Sequence, residues 1–157
     1  MNAARIADPV HSKALPDLVA KLLAARQESL VLYHRLAALK PFLLMEPAQH
    51  LLRRFQEVLV DYLALGLFEV YRTLDEQPGH SPYCQARDLA RRLYGHIAHT
   101  THAAMLFHDR YEGELSDPVW ANLDSELSRL GEQLAVRIEL EDRIVAAIRG
   151  SDATLAA

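Results

Sequence analysis

The stretch from Leu51 to Leu74 (LLRRFQEVLVDYLALGLFEVYRTL) constrains the fold more than any other part of the chain. Its apolar side chains recur at about 100° per residue, the spacing of one face of a helix. This stripe consists of Phe55, Leu59, Tyr62, Gly66 and Val70. A stripe of this kind is typical of a helix that packs against other helices. The pattern therefore predicts a helix with one side in a hydrophobic core.

The other side of this helix mixes apolar and charged residues. Leu65 and Phe68 project away from the core stripe, on the side that also carries four charged residues. These four are Arg54, Glu57, Asp61 and Arg72. Such a helix is either buried on two faces or reserves one face for a partner. Asp61 is accordingly either a solvated carboxylate beside packed neighbours or an acidic anchor in an apolar partner surface.

Helical periodicity continues along the rest of the chain, and no segment shows the alternation of a strand. We predict four helices, at about residues 16–39, 48–76, 83–111 and 118–149. Their connections are short and contain Pro or Gly, which favour turns. Four long helices with short connections predict an all-α fold, an antiparallel four-helix bundle with a short N-terminal extension.

The division of the chain follows from where this periodicity begins and ends. Residues 1–14 have no sustained period, and we expect them to form a flexible N-terminal arm. Residues 15–149 then form the helical bundle. Gly150-Ser151 is expected to end the last helix, which leaves residues 150–157 as a C-terminal tail.

Composition narrows the classes of function. The chain has no apolar run near the roughly 20 residues of a membrane span and no apolar signal segment at its N-terminus. Cys84 is the single cysteine, so neither a disulfide framework nor a cysteine-based metal site is expected. We therefore expect a cytoplasmic protein. The net charge of −4, with scattered basic residues, disfavours direct contact with nucleic acid and favours a basic protein partner.

Eight histidines in a helical bundle suggest a metal site as an alternative function. His96, His99 and His102 follow one another at i, i+3 and i+6 and could serve a hemerythrin-like site. They would need further ligands from facing helices, and the sequence contains no Glu-x-x-His pair. It also lacks the Gly-x-Ser-x-Gly elbow of a serine hydrolase. We expect no cofactor and no enzymatic activity.

Arg137 and Glu141 lie four residues apart on the apolar stripe of the last helix. If both point inward they must pair, because removing one partner of a buried ion pair costs about 3–5 kcal/mol. Tyr62 and His34 could supply further hydrogen bonds. The alternative is a helix rotated enough for both side chains to reach its edge.

Residues 59–71 (LVDYLALGLFEVY) resemble a known pattern, the LVDYxxxGxFxxY core of the Rsd/AlgQ family. These bacterial proteins regulate the primary, sigma-70-type sigma factor. The resemblance continues at Lys40-Pro41 and in the RxxLED pattern of residues 137–142, and it covers about residues 15–149. The chain departs from the pattern at Leu67, where the family usually has His. The surface near this position is therefore more apolar than is usual for the family.

The resemblance implies an anti-sigma activity, in which the protein binds region 4 of the primary sigma factor. Region 4 reads the −35 promoter element, so covering it would block promoter recognition and docking on core polymerase. The aspartate of LVDY is the family's best-known contact and corresponds to Asp61. With it we expect Leu65 and Phe68 at the apolar centre of the contact. The charged residues Arg54, Glu57 and Arg72 would form its rim.

Other partners are also compatible with this resemblance. Members of the family are reported to bind the phosphocarrier HPr. The alternative is therefore a regulator of HPr, or of a stringent-response enzyme, that no longer binds sigma. Neither nucleic acid nor a membrane is expected as a direct partner.

Overall fold

The computed structural model describes the backbone of residues 3–42 and 45–156 and the side chains of residues 14–42 and 46–155. Within these ranges the chain is helical and contains no strand, which confirms the all-α class. The elements are α1 (Ala3–Ala37), α2 (Met45–Leu65), a π-helical segment (Gly66–Tyr71), α3 (Arg72–Asp75), α4 (Cys84–Arg110), α5 (Asp117–Ala121) and α6 (Leu123–Ala156). No helix in the described part of the chain is long and apolar enough to cross a membrane.

The long helices pack in two main pairs. α1 lies along α2, and α4 lies along α6. Contacts of α1 with α6, and of α3 with α4, join the pairs around one core. The stripe predicted for the second helix is buried throughout, from Phe55 to Val70. The antiparallel four-helix arrangement stays a prediction.

The helices extend further toward both ends of the chain than the sequence predicts. α1 begins at Ala3, so the backbone of residues 3–14 is helical and Pro16 lies inside the helix. α6 continues to Ala156, and the prediction that Gly150-Ser151 ends it is wrong. There, the Ser151 hydroxyl donates to the Ala147 carbonyl of the preceding turn at 3.1 Å, so the serine side chain lies along the helix rather than capping its end. The division into arm, bundle and tail stays a prediction.

The second predicted helix is continuous from Met45 to Asp75 but changes its type partway. Gly66–Tyr71 is π-helical, so each turn there contains an additional residue. One residue corresponds to about 100° of rotation. Side chains after Gly66 are therefore turned away from the positions that an uninterrupted α-helix would give them. The prediction of one regular helix over residues 48–76 is wrong in this segment.

Gly131 provides a test of the packing between α1 and α6. A Cβ at this position would overlap the Tyr33 side chain, whose hydroxyl donates to the Leu127 carbonyl at 2.9 Å. We expect Gly131→Ala to lower the free energy of unfolding by about 1–3 kcal/mol, the usual cost of overpacking. Gly95→Ala is the matched control, since nothing lies within 4 Å of its added Cβ. It should stabilise the protein by about 0.5–1 kcal/mol. Urea unfolding of both variants measures the difference, and equal effects would contradict the packing.

Candidate partner surface and buried ion pair

Asp61 is exposed on α2 and faces the end of α4 across a groove of about 620 Å³. Glu57, one turn earlier on the same helix, is 71% exposed and lines the same groove. Val60 gives the groove part of its apolar wall, and Glu112 adds a third carboxylate on the α4 side. Arg53 also lines the groove and is a cation beside these three carboxylates. Negative charge therefore exceeds positive charge in the groove, an arrangement suited to a basic side chain.

Phe68 is the most exposed large apolar side chain on this part of the protein. It lies on the π-helical segment and is 63% exposed. Leu65 is half-buried and packs against the core, so it contributes only part of its surface. No other segment in the described part of the chain seals Asp61 or Phe68. Within the described residues, this side of the helix is therefore exposed at Asp61 and Phe68 and partly covered at Leu65.

The predicted rim residues do not form one continuous edge. The Arg54 guanidinium pairs with Glu28 of α1 at 3.2 Å and with Glu57 at 4.0 Å. Arg72 pairs with Glu76 at 3.1 Å and lines a different groove, between the π-helical segment and α4. The additional residue per turn of the π-helical segment explains this separation, because it rotates everything that follows.

Arg137 and Glu141 both lie inside the protein, with 1% and 0% of their side chains exposed. Arg137 Nε donates to Glu141 Oε2 at 3.2 Å, and the Tyr71 hydroxyl donates to the same oxygen at 3.1 Å. The Tyr62 hydroxyl donates to Oε1, from which Arg26 Nη1 is 3.6 Å away. Glu141 thus joins α1, α2, the π-helical segment and α6. The alternative of a rotated helix with both charges at its edge does not apply.

The Arg137 guanidinium also bonds to α4 and stacks on α2. Nη1 donates to Thr101 Oγ1 at 2.7 Å and to Thr100 Oγ1 at 3.2 Å. The guanidinium carbon lies 5.3 Å from the centre of the Tyr62 ring, within the range of a cation–π contact. A Cβ at Gly66 would lie 3.3 Å from Arg137 Nη2, so glycine lets the π-helical segment approach the guanidinium closely.

Tyr62 is a donor to the pair, as predicted from the sequence, but several other members were not predicted. Tyr71, Arg26 and the two threonines join it through contacts between helices, which helical spacing alone does not reveal. His34 is exposed and does not join the pair. Its neighbour Tyr33 faces the interior instead and bonds to α6.

Burial and electrostatics fix the protonation of this network. Burial, together with the adjacent Glu141 carboxylate, raises the pKa of both Tyr62 and Tyr71, so each remains a donor at neutral pH. Burial acts to lower the pKa of Arg137, but Glu141, Tyr62 and Tyr71 together outweigh it and the net shift is upward. The interior therefore holds a charged guanidinium, a carboxylate and two neutral phenols.

Three histidines of α4 were considered for a metal site, and none of them points into the interior. His96, His99 and His102 are all exposed, which removes the internal ligand set on which the hemerythrin-like alternative depends. Near the end of α4, ligand atoms of His108, Asp109 and Glu112 lie within 4.8 Å of one another. Exposed groups of this kind are common without a metal. Here they add to the negative charge opposite Asp61.

Comparison with known proteins identifies the family. The model of a family described as "Regulator of RNA polymerase sigma(70) subunit, Rsd/AlgQ" matches residues 11–149. The chain belongs to the Rsd/AlgQ family. This is a family of regulators rather than a class of enzymes, and the assignment confirms the resemblance seen in the sequence.

Individual relatives are named as regulators of sigma D. A regulator of sigma D from Yersinia enterocolitica is 33% identical over 137 residues, which cover 82% of this chain and 78% of the relative. A regulator of sigma D from Enterobacter sp. (strain 638) is 33% identical over 133 residues with the same coverage. No solved structure matches the chain.

The buried pair of this Rsd/AlgQ protein predicts a non-additive response to substitution. Glu141→Leu and Arg137→Met each leave a buried charge without its main partner, so each should lower the free energy of unfolding by about 3–5 kcal/mol. In the double variant neither charge of the pair remains. Its free energy of unfolding should therefore fall by less than the sum of the decreases in the two single variants. Urea unfolding of the four proteins measures this; strictly additive losses would show that the two groups act independently.

The buried tyrosines predict a loss of stability at alkaline pH. Unfolded tyrosines titrate near pH 10, whereas the pKa of Tyr62 and Tyr71 is raised, and burial raises that of Tyr111 to about 12. Their contribution is complete below pH 10 and is lost as pH rises toward the folded-state pKa. Each tyrosine contributes a fall of about 1.4 kcal/mol per pH unit above pH 10. Tyr71→Phe should remove one such contribution in unfolding experiments between pH 8 and 12.

The exposed Tyr94 provides the matched control for this experiment, as Tyr94→Phe removes a phenol outside the network. A Tyr71→Phe protein that lost stability with pH as steeply as the wild type would show that the Tyr71 hydroxyl is not held protonated by its surroundings.

Proposed function

We propose that this protein is an anti-sigma factor that binds region 4 of the primary sigma factor through the exposed side of α2 and the π-helical segment. The family assignment supports a role in regulating sigma. The observation that carries the choice of surface is the exposed Asp61, in a groove with two further carboxylates and on the same helical segment as the exposed Phe68.

Charge complementarity supports region 4 as the target. The surface of region 4 that reads the −35 element is basic, because it contacts phosphates. The groove around Asp61 collects the carboxylates of Glu57 and Glu112 and could receive an arginine or lysine of that surface. Complementary charge of this kind raises the association rate and fixes the orientation of a complex.

Phe68 would supply the apolar anchor of the same contact. Large aromatic side chains near charged groups are frequent among the residues that contribute most to protein–protein affinity. Exposing 63% of a phenylalanine gives the fold no stabilisation. Burial against a partner would recover the free energy of the hidden apolar area.

The mechanism is competition rather than chemistry. A protein that covers region 4 blocks both its reading of the −35 element and its docking on core polymerase. Core polymerase then becomes available to alternative sigma factors. Asp61 would act by a charged contact, with Glu57 beside it in the groove. Arg54 and Arg72, on separate edges, would contact different parts of the partner.

Asp61→Asn tests the charged contact. Loss of one partner of a desolvated charge pair should weaken binding to sigma region 4 by about 2–5 kcal/mol, measured by isothermal titration calorimetry. Asp124→Asn is the matched control, since this exposed aspartate of α6 pairs with Lys40 at 2.7 Å, away from the groove. Equal affinities of the Asp61→Asn and wild-type proteins would rule out the charged contact. Titration with HPr in place of sigma tests the alternative partner.

Phe68→Ala tests the apolar contact in the same titration. Removing a buried aromatic anchor should cost at least about 2 kcal/mol of binding. It should leave thermal unfolding almost unchanged, because the side chain is exposed in the free protein. Leu106→Ala is the control, as Leu106 is 56% exposed on α4 but lines a different groove. Weakening by Leu106→Ala but not by Phe68→Ala would place the interface on the α4–α6 side instead.

A further inference from the structure

A second groove, of about 530 Å³, runs between the π-helical segment with α3 on one side and α4 on the other. Its walls are largely apolar and aromatic, with charged residues along the edges. They consist of Leu67, Phe68, Tyr71, Arg72, Asp75, Arg87, Ala90, Arg91 and Tyr94. The volume is within the range of about 300–1,000 Å³ that small-molecule sites occupy. The groove is thus large enough for a ligand and apolar enough to hold one.

A smaller cavity of about 80 Å³ lies next to this groove and extends toward the interior. Leu67, Tyr71 and Tyr94 line both, so the two spaces share a wall. Ala98 closes the cavity on the α4 side, and Arg137 forms part of its lining. A cavity needs about 10–15 Å³ to hold one water molecule, so this one can hold a polar group of several atoms.

One guanidinium nitrogen of Arg137 takes no part in the hydrogen bonds described above. Its Nε bonds to Glu141 and its Nη1 to the two threonines of α4. Its Nη2 is buried and has no hydrogen-bond acceptor among the residues that the structure describes. A buried donor on a charged group is costly to leave unpaired. The guanidinium can therefore bond to one more acceptor.

The charge of Arg137 itself favours an anionic acceptor for this nitrogen. The other guanidinium near Glu141, that of Arg26, donates to Asp142 at 2.8 Å and lies 3.6 Å from Glu141, so Asp142 is its main partner. Tyr62 and Tyr71 remain neutral. A hydrogen bond from a guanidinium to a carboxylate is stronger than one to a neutral acceptor, so a carboxylate suits Nη2 better than a neutral group does.

The arginines at the edge of the groove already have partners. Arg91 pairs with Asp75 at 2.7 Å, and Arg87 pairs with Asp88 at 2.9 Å. Arg72 pairs with Glu76. The unused donor of the site therefore lies at its inner end, on Arg137, rather than along its edge. This distribution suits a ligand with one anionic end and an apolar body, rather than one with several phosphate groups.

We propose that the groove and its inner cavity bind a small carboxylic acid with an apolar or aromatic body. The carboxylate enters the cavity and accepts a hydrogen bond from Arg137 Nη2. The body lies between the π-helical segment and α4, against Leu67, Tyr94 and Phe68. The binding site itself does not depend on the proposed function.

Binding of such a ligand has a consequence for the partner surface. Phe68 lines the groove and also belongs to the surface proposed for sigma. A ligand in the groove would cover part of Phe68 and weaken binding of region 4. This consequence rests on the proposed function, whereas binding of the ligand to the protein alone does not.

Titration of the full-length protein with octanoate and phenylacetate tests the site, with octanamide and phenylacetamide as neutral matches. We expect the acids to bind at least about tenfold more tightly than the amides, because a charge-assisted hydrogen bond is stronger than a neutral one. Calorimetry gives the affinities, and the ¹⁵N-edited NMR signals of the Arg137 guanidinium should shift with the acids. Equal binding of acids and amides, or no binding of any of the four, would overturn the proposal.

Ala98→Leu tests the location by filling the inner cavity from the α4 side. It should abolish the preference for the acids, while thermal unfolding verifies that the variant is folded. Ala103→Leu is the matched control, since this half-buried alanine of α4 lines the groove with α6 instead. Unchanged binding by Ala98→Leu would refute the site. If the variant does not fold, the comparison of acids with amides on the wild-type protein still tests whether the site prefers an anionic ligand.

A competition experiment tests whether the bound carboxylate weakens binding of sigma region 4, separately from whether the carboxylate binds. With octanoate bound, the affinity for sigma region 4 should fall. Octanoate that binds without changing sigma affinity would support the site and exclude the shared use of Phe68. A protein that binds no sigma at all would contradict the proposed function and leave the result on the carboxylate site unaffected.

Discussion

The carboxylate of Glu141 is the interaction on which the arrangement of the helices depends. It accepts from Arg137 of its own helix and from Tyr62 and Tyr71 of the second helical segment, and Arg26 of α1 lies beside it. A fully buried carboxylate is unfavourable unless all of these groups are in place. The interior therefore specifies one rotation of each helix about its axis, which apolar packing alone would define less strictly.

The π-helical segment connects this interior to the exposed surface. Tyr71 at its end reaches Glu141, and Gly66 at its start admits the guanidinium of Arg137. Between them, Phe68 is held outward and Leu67 forms the wall of the groove. The same turn of chain thus satisfies a buried charge and presents an apolar side chain. In a regular α-helix, the residues that follow this segment would lie about 100° around the helix axis from where they are.

Periodicity was sufficient to predict the stripe from Phe55 to Val70 and to place Arg137 and Glu141 on one apolar stripe, because both follow from spacing within one helix. It left open whether that helix is rotated enough to bring the pair to its edge. It could not predict the π-helical segment, because six residues are too few to stand out in a periodicity read over about 11–18 residues. The predicted rim of Arg54 and Arg72 was therefore separated into two edges. The choice of His34 as a donor failed for another reason: contacts between helices depend on rotations that the sequence does not specify.

The exposed side of α2 and the π-helical segment lies on a part of the chain that is anchored in the core. Asp61 lies next to the buried Tyr62, and Phe68 lies two residues after the buried Gly66, so neither is at a flexible end of the chain. Isolated exposed apolar residues are normal on protein surfaces. Here, however, the exposed phenylalanine follows a groove with three carboxylates on one continuous stretch of helix, and Tyr62 and Tyr71 of that stretch donate to the buried Glu141. A surface whose backbone is anchored in this way loses less conformational entropy when a partner binds, which favours affinity. The polar interior and the exposed patch are therefore connected, because the buried charges anchor the helix that carries the surface proposed for a basic partner.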